Sequence, residues 1–262
     1  MNNSMIEKGQ KYIMGTYSQA PIVITKGDGV RLTDNTGKEY IDMVSGIAVN
    51  SLGYGHPAVV KALQEQAETL IHISNLYWNI PQIELAEKLC KTSGLGKAFF
   101  CNSGAEANES AIKLARKYGN GRSTIISMVQ SFHGRTLGAL KATGQTKYQN
   151  GFAPLPEGFK YTEANNIEML DQLIDDDTCA IMLEVIQGEA GIIELSEEYL
   201  KHVEAVCREK DILFIIDEVQ TGMGRTGYAF AHQKYDLHPD IVTMAKAIAG
   251  GVPMGAMLAK DN

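Results

Sequence analysis

From residue 97 to residue 246 the chain repeats one pattern: a short apolar run, a turn, then a stretch with helical spacing. The runs lie at 98–101, 124–128, 180–184, 212–216 and 241–243, and the helical stretches at 105–118, 166–173 and 196–210. Runs this short and this apolar suit strands buried on both faces. Strands that alternate with helices assemble as a mostly parallel sheet flanked by helices, so the expected class is α/β. A chain of 262 residues with 44% hydrophobic content has enough apolar surface to fill such a core.

That architecture also predicts where chemistry lies. Open α/β sheets bind ligands outside the carboxyl ends of their strands. The run 212–216 ends in Asp217, and Lys246 follows the run 241–243. An acid and a lysine at neighbouring strand ends suit pyridoxal phosphate. The lysine bonds its aldehyde, and the acid keeps its pyridine nitrogen protonated. Either residue alone has a bland reading, since most lysines and most Asp-Glu pairs are solvated. The pairing is what raises them.

Residues 22–43 read differently, as short strands joined by glycine turns at 26–29 and 34–37, which are hairpin signals. After Gly53-Tyr-Gly-His-Pro57 the spacing turns helical, with Pro57 in a first-turn position and apolar residues at Val59, Val60, Leu63, Ala67 and Leu70. A further helix is expected at Pro81, using Ile83, Leu85, Ala86 and Leu89. The expected organisation is an N-terminal segment of short antiparallel strands over 1–55 and a cofactor-binding large domain over 56–262.

Charge and cysteine usage exclude several classes. Basic residues number 24 against 31 acidic, a net −7, which argues against nucleic acid and against an anionic membrane surface as partners. The first residues lack an apolar core of a secretory signal, and no apolar stretch is long enough to span a bilayer. Cys90, Cys101, Cys179 and Cys207 are scattered, which predicts reduced thiols in a cytoplasmic protein and no metal site.

Other strand ends carry further candidates. In Cys101-Asn-Ser-Gly-Ala-Glu-Ala-Asn108, Ser103, Gly104 and Ala105 would present backbone N–H groups at a helix start, a phosphate site; the plainer reading is a serine N-cap. In Ser131-Phe-His-Gly-Arg-Thr136, Phe132 could stack on a planar ring and Arg135 could hold a carboxylate in its two-pronged fork. Core packing for Phe132 and a satisfied loop histidine for His133 are the bland alternatives. Glu184-Val-Ile-Gln-Gly-Glu-Ala-Gly191 offers Glu189 toward a substrate, or simply as a solvated turn acid. Gly222-Met-Gly-Arg-Thr-Gly227 matches a dinucleotide-binding fingerprint literally. Residues 217–221 separate it from the strand, however, and Tyr228-Ala-Phe-Ala-His-Gln does not read as the close-packed helix that motif needs.

Together the motifs at 102–108, 131–136, 187–189, 216–222 and 245–247 resemble those of the class III (ω-amino-acid) aminotransferases, which are fold type I pyridoxal phosphate enzymes. Within the class, Ile73-Ser-Asn-Leu-Tyr-Trp, Pro81-Gln-Ile-Glu-Leu-Ala and Glu184-Val-Ile-Gln look most like the acetylornithine branch. The resemblance implies that Lys246 bonds the cofactor and shuttles the proton, and that Asp217 pairs with the ring nitrogen. It also implies that Gln220 bonds the ring hydroxyl, Val219 and Phe132 pack on the two ring faces, and Gly104 and Ala105 bind the phosphate. Arg135 would take the substrate α-carboxylate, and Glu189 would belong to a switch between a basic donor and glutamate. The implied reaction is N-acetylornithine plus 2-oxoglutarate giving N-acetylglutamate semialdehyde plus glutamate, in a cytoplasmic homodimer. Ornithine or 4-aminobutyrate transamination, or an inactive truncated remnant, are the alternatives. The family continues past the point where this chain stops, with a cross-subunit phosphate-binding threonine, the rest of the large domain, a C-terminal small domain and the arginine that pairs with the Glu189 position.

Overall fold

The computed structural model describes residues 2–261, and the chain divides into two compact units, Met1–Tyr77 and Trp78–Asn262. In the first unit, helix α1 (Asn2–Tyr12) precedes an antiparallel meander of β1 (Ile24–Asp28), β2 (Arg31–Asp34) and β3 (Glu39–Ile41). Its second turn is held by Asp34, whose Oδ1 accepts from the Thr36 and Lys38 amides at 2.8 and 3.0 Å while Oδ2 accepts from the Tyr40 hydroxyl at 2.9 Å. A short turn, α2 (Ser45–Ala48), leads to α3 (Pro57–Thr69), which starts at the expected proline and is capped by His56 Nδ1. The apolar stripe of α3 stays open: Val60, Leu63 and Leu70 are all exposed.

The second unit alternates as the sequence predicts. Its elements are α4 (Ile80–Ser93), β4 (Lys97–Cys101), α5 (Gly104–Tyr118), β5 (Thr124–Met128), α6 (Leu137–Ala142), α7 (Thr146–Gln149), β6 (Phe159–Thr162), α8 (Ile167–Leu173), β7 (Thr178–Leu183), β8 (Ile186–Gln187), β9 (Ile193–Glu194), α9 (Glu197–Lys210), β10 (Leu213–Asp217), β11 (Ile241–Met244) and β12 (Gly255–Ala259). Seven strands form one sheet in the order β4-β12-β11-β10-β7-β5-β6. From β11 to β6 every pairing is parallel, and β12 alone runs antiparallel to both its neighbours. Strands β6 and β12 and the small β8–β9 hairpin lie outside the runs read from the sequence.

Successive side chains on a strand point to opposite faces, and the core follows that rule. Ile126, Ile181, Leu183, Phe214 and Ile216 pack with Tyr199, Leu200 and Val203 of α9. Ile125, Ala180, Met182, Leu213 and Ile215 pack on the other face with Ala111, Ile112 and Ala115 of α5. Both faces are thus covered, which is why these strands read as continuous apolar runs and not as alternating ones. Helix starts are set locally: Asn79 caps α4, Ser103 caps α5, Asn166 caps α8 and Ser196 caps α9, each accepting a backbone N–H of the first turn.

Candidate active site

The parallel register puts Asp217, the last residue of β10, beside Thr243 of β11. Three residues past Thr243, Lys246 leaves the strand in the left-handed backbone region at φ 49°, uncommon for a residue with a side chain. Its amine donates to Gln220 Oε1. Lys246 is half-buried, and burial, the largest influence, pulls its amine below the ordinary lysine value; Asp217, Glu189 and Glu184 oppose this and Arg225 adds to it. An amine that gives up its proton more readily is a better nucleophile toward a carbonyl.

Asp217 is buried and saturated on one side. Its Oδ2 accepts from Asn108 Nδ2 and His133 Nδ1, both at 2.7 Å, and its Oδ1 accepts from the Val219 amide at 2.9 Å. A carboxylate has about four acceptor positions, so one remains for a further donor. Burial works against a charged His133, but the hydrogen bond and charge of Asp217, with Glu184 adding, outweigh it and raise its pKa above the usual value. Glu184, just past β7, is buried as well and accepts from the Phe132 and Gly188 amides at 2.9 and 3.3 Å. Burial first, then Asp217, push its carboxyl up to about 7 against the pull of His133.

At the start of α5, Ser103 Oγ accepts from the Glu106 amide at 3.2 Å, and the Glu106 carboxylate reaches back to the Asn102 amide at 2.5 Å. The amides of Gly104 and Ala105 lie in the first turn, where a helix supplies no acceptor of its own. Gly104 also sits in a place where a side chain would crowd: a Cβ there would lie 3.0 Å from both Val219 methyls and 3.3 Å from Ala245 Cβ. This ties the phosphate-type amide pair to the strand ends of β10 and β11.

Phe132 is half-buried, edge-on to Tyr148 with ring centroids 5.5 Å apart, and the exposed Arg135 guanidinium lies 4.6 Å from the Tyr148 ring centre. The segment after Arg135 is fixed by Glu109 of α5, whose Oε1 accepts from Thr136 Oγ1, Gly138 N and Ala139 N at 2.6, 2.8 and 3.0 Å. Glu189 is exposed in the β8–β9 turn.

The structure therefore gathers Lys246, Asp217, Val219, Gln220, Gly104 and Ala105 around adjoining strand and helix ends. Asn108 and Glu109 are polar residues that sequence reasoning passed over, and Glu184, read there only within its strand-end motif, is buried in the site. Gly222–Gly227 of the dinucleotide-like motif lies in irregular turns with no helix beginning at its glycines. The buried Glu218 ties that segment down, accepting from Thr221 Oγ1, the amides of Ala231 and His232, and His232 Nδ1. Among the described residues no group of His, Cys, Asp and Glu has metal-site geometry.

The donor set fits pyridoxal phosphate group by group. The paired amides of Gly104 and Ala105 suit a phosphate, and the side-chain-free position at Gly104 lets this helix start pack close against Val219 and Ala245. The remaining acceptor position of Asp217 suits a ring N–H, and the Lys246 amine suits an aldehyde.

The sequence matches the family model for class III aminotransferases over residues 12–262. It is 58% identical to the acetylornithine aminotransferase of Caldanaerobacter subterraneus, over 98% of this chain and 67% of that protein. It is 54% identical to the acetylornithine aminotransferase of Methanocaldococcus jannaschii, over 98% and 66%. Among solved structures, N-acetylornithine aminotransferase from Stenotrophomonas maltophilia shares 40% identity at a TM-score of 0.82, over 97% of this chain and 65% of that one. Ornithine aminotransferase from Toxoplasma gondii shares 32% at 0.94, over 99% and 64%. The chain thus spans about two thirds of the length of these relatives. With that family model matched along nearly all of its residues, the chain belongs to the class III aminotransferases.

Proposed function

We propose that this chain carries the cofactor-binding part of a pyridoxal phosphate enzyme that transfers the amino group of N-acetylornithine to 2-oxoglutarate, giving N-acetylglutamate semialdehyde and glutamate. The observation that carries the reading is the placement of Asp217 at the end of β10 beside Thr243 of β11, with Lys246 following two residues past the end of β11. When bound, the cofactor supplies an electron sink for the pair released as the substrate Cα proton leaves. The chain supplies the rest. Asp217 holds the ring nitrogen, the Gly104 and Ala105 amides hold the phosphate, and Ser103 caps the helix that presents them. Phe132 and Val219 flank the ring, and Gln220 bonds its hydroxyl. Arg135 holds the α-carboxylate common to both substrates. Lys246 bonds the cofactor and moves the proton to and from Cα. Glu189 takes part in admitting first a basic donor and then glutamate.

The acetylornithine donor is favoured by relatives at 58% and 54% identity that carry that name, against 32% for the ornithine enzyme. A homodimer is supported by large exposed apolar side chains such as Met43, Ile71, Leu76 and Trp78, a second copy of the chain being the natural cover. The four cysteines are all free thiols, which supports a cytoplasmic setting. No helix among the described residues is long and apolar enough to cross a membrane.

The test is a substrate panel on the full-length protein: N-acetylornithine, ornithine and 4-aminobutyrate, each with 2-oxoglutarate. The highest kcat/KM is expected for N-acetylornithine. A preference for ornithine moves the protein to that branch, and no turnover with any donor despite bound cofactor supports the inactive remnant.

A further inference from the structure

Asn108 lies one turn inside α5, is 1% exposed, and uses its whole amide. Nδ2 donates to the His133 carbonyl and to Asp217 Oδ2, both at 2.7 Å, and Oδ1 accepts from Thr243 Oγ1 at 2.6 Å. Both partners of the nitrogen can only accept, so the orientation of the amide is unambiguous. The Thr243 hydroxyl then locks the other end. One side chain thereby joins four pieces of the site: the helix that presents the Gly104 and Ala105 amides, the segment bearing Phe132 and Arg135, the acid at the end of β10, and the strand that leads into Lys246.

We propose that Asn108 is the positioning residue of the cofactor acid. It holds the Asp217 carboxylate rotated so that its free acceptor position is the one offered to the ring nitrogen, and it fixes that carboxylate relative to the phosphate-binding helix. The proposal rests on the reading of Asp217 as the partner of the pyridine nitrogen. The Asn108 amide gives Asp217 Oδ2 a donor without adding a charge beside the His133 imidazole. A second acid in the same place would repel it.

The test titrates pyridoxal phosphate into the apo form of full-length wild type, Asn108→Asp, Asn108→Ser and Thr243→Val, reading bound cofactor by visible absorbance from about pH 6 to about pH 9. The ionisable groups facing Asp217 are His133, Glu184 and Lys246, present in all four proteins. Loss of a hydrogen bond to a charged group predicts binding about tenfold weaker in Asn108→Asp at the upper end of the range. Recovery is expected as pH falls, because the introduced carboxyl then takes up a proton and donates to Asp217 as the amide did. A loss of positioning shows as weaker cofactor binding at a pH where the apo variant melts close to wild type; binding and melting that fall and recover together would mark a merely structural role and overturn the proposal. Asn108→Ser, whose shorter side chain cannot reach both acceptors of the amide and adds no charge, should bind more weakly at every pH, and it carries the test if Asn108→Asp does not fold. Thr243→Val, which frees the amide to turn, should show a smaller loss. Affinities within about twofold of wild type in both Asn108 variants overturn the proposal. A wild type whose borohydride-reduced label falls on a residue other than Lys246 overturns the reading of the site itself.

Discussion

The His133 imidazole and the Asp217 carboxylate meet at 2.7 Å, 84 residues apart in sequence, with almost no solvent on either side chain. With Glu184 behind them, they make a buried ionisable cluster whose protonation the fold must accommodate even without cofactor.

That cluster gives the apoprotein a pH dependence. Glu184 is raised from 4.5 to about 7, so its folded form holds a proton that the unfolded chain has already released between those values. His133 is raised from 6.5, so its contribution is complete below 6.5 and is lost as pH rises through the higher folded value. Both groups therefore make stability fall with rising pH, from about 4.5 upward. Urea unfolding of the apo form across this range should show the decline, and Glu184→Gln should flatten its lower part. A gap between wild type and Glu184→Gln that is the same at every pH would show that Glu184 does not titrate in this window.

Covalent cofactor attachment is expected at Lys246 alone. Borohydride reduction and peptide mapping should place the pyridoxyl group there, and Lys246→Ala should lose the reducible adduct. Because burial already lowers the amine's proton affinity, the adduct should form readily near neutral pH. A label on any other lysine refutes the assignment.

Arg135→Lys replaces a planar fork by a point charge. Since the α-carboxylate is common to both substrates, KM should rise about tenfold for the amino donor and for 2-oxoglutarate together, a loss of about 1.4 kcal/mol each. Cofactor affinity should be unchanged. A change confined to the cofactor would place the guanidinium on the phosphate.

Glu109→Ala removes the acceptor shared by Thr136, Gly138 and Ala139. Three donors lose their partner at once; Thr136 is exposed and can be rehydrated, but the Gly138 and Ala139 amides belong to buried residues. The expected result is a destabilisation of about 1–2 kcal/mol and a raised KM through a looser Arg135 segment, with cofactor affinity close to wild type. Equal loss of cofactor affinity would mean that the Gly104 end of α5, the proposed phosphate site, had moved as well.

The sheet was legible because its central strands are apolar on both faces; β5 begins and ends where the run 124–128 does. Strand β6 was missed because it lies at the sheet's edge and reads Phe-Lys-Tyr-Thr, with no apolar run to mark it. Strand β12 was missed because it opens on a glycine, Gly255, whose absent side chain allows a close approach to the Ser103 carbonyl. In the site, Asp217 and Lys246 were visible because one ends a strand and the other comes just after one. Asn108 and Glu109 were not, since they sit inside a helix whose surface pattern gives no hint of partners 25 to 135 residues away. His133 read as an ordinary loop histidine. Only the fold reveals that its ring faces the acid.

The left-handed backbone at Lys246 has a consequence for how the protein tolerates change. A side-chain-bearing residue held there costs of order 1 kcal/mol or more, a cost that glycine escapes. The amine is also drawn partly out of water. The position thus opposes reactivity to durability: Lys246→Gly should give an apoprotein that melts higher than Lys246→Ala and yet forms no covalent adduct.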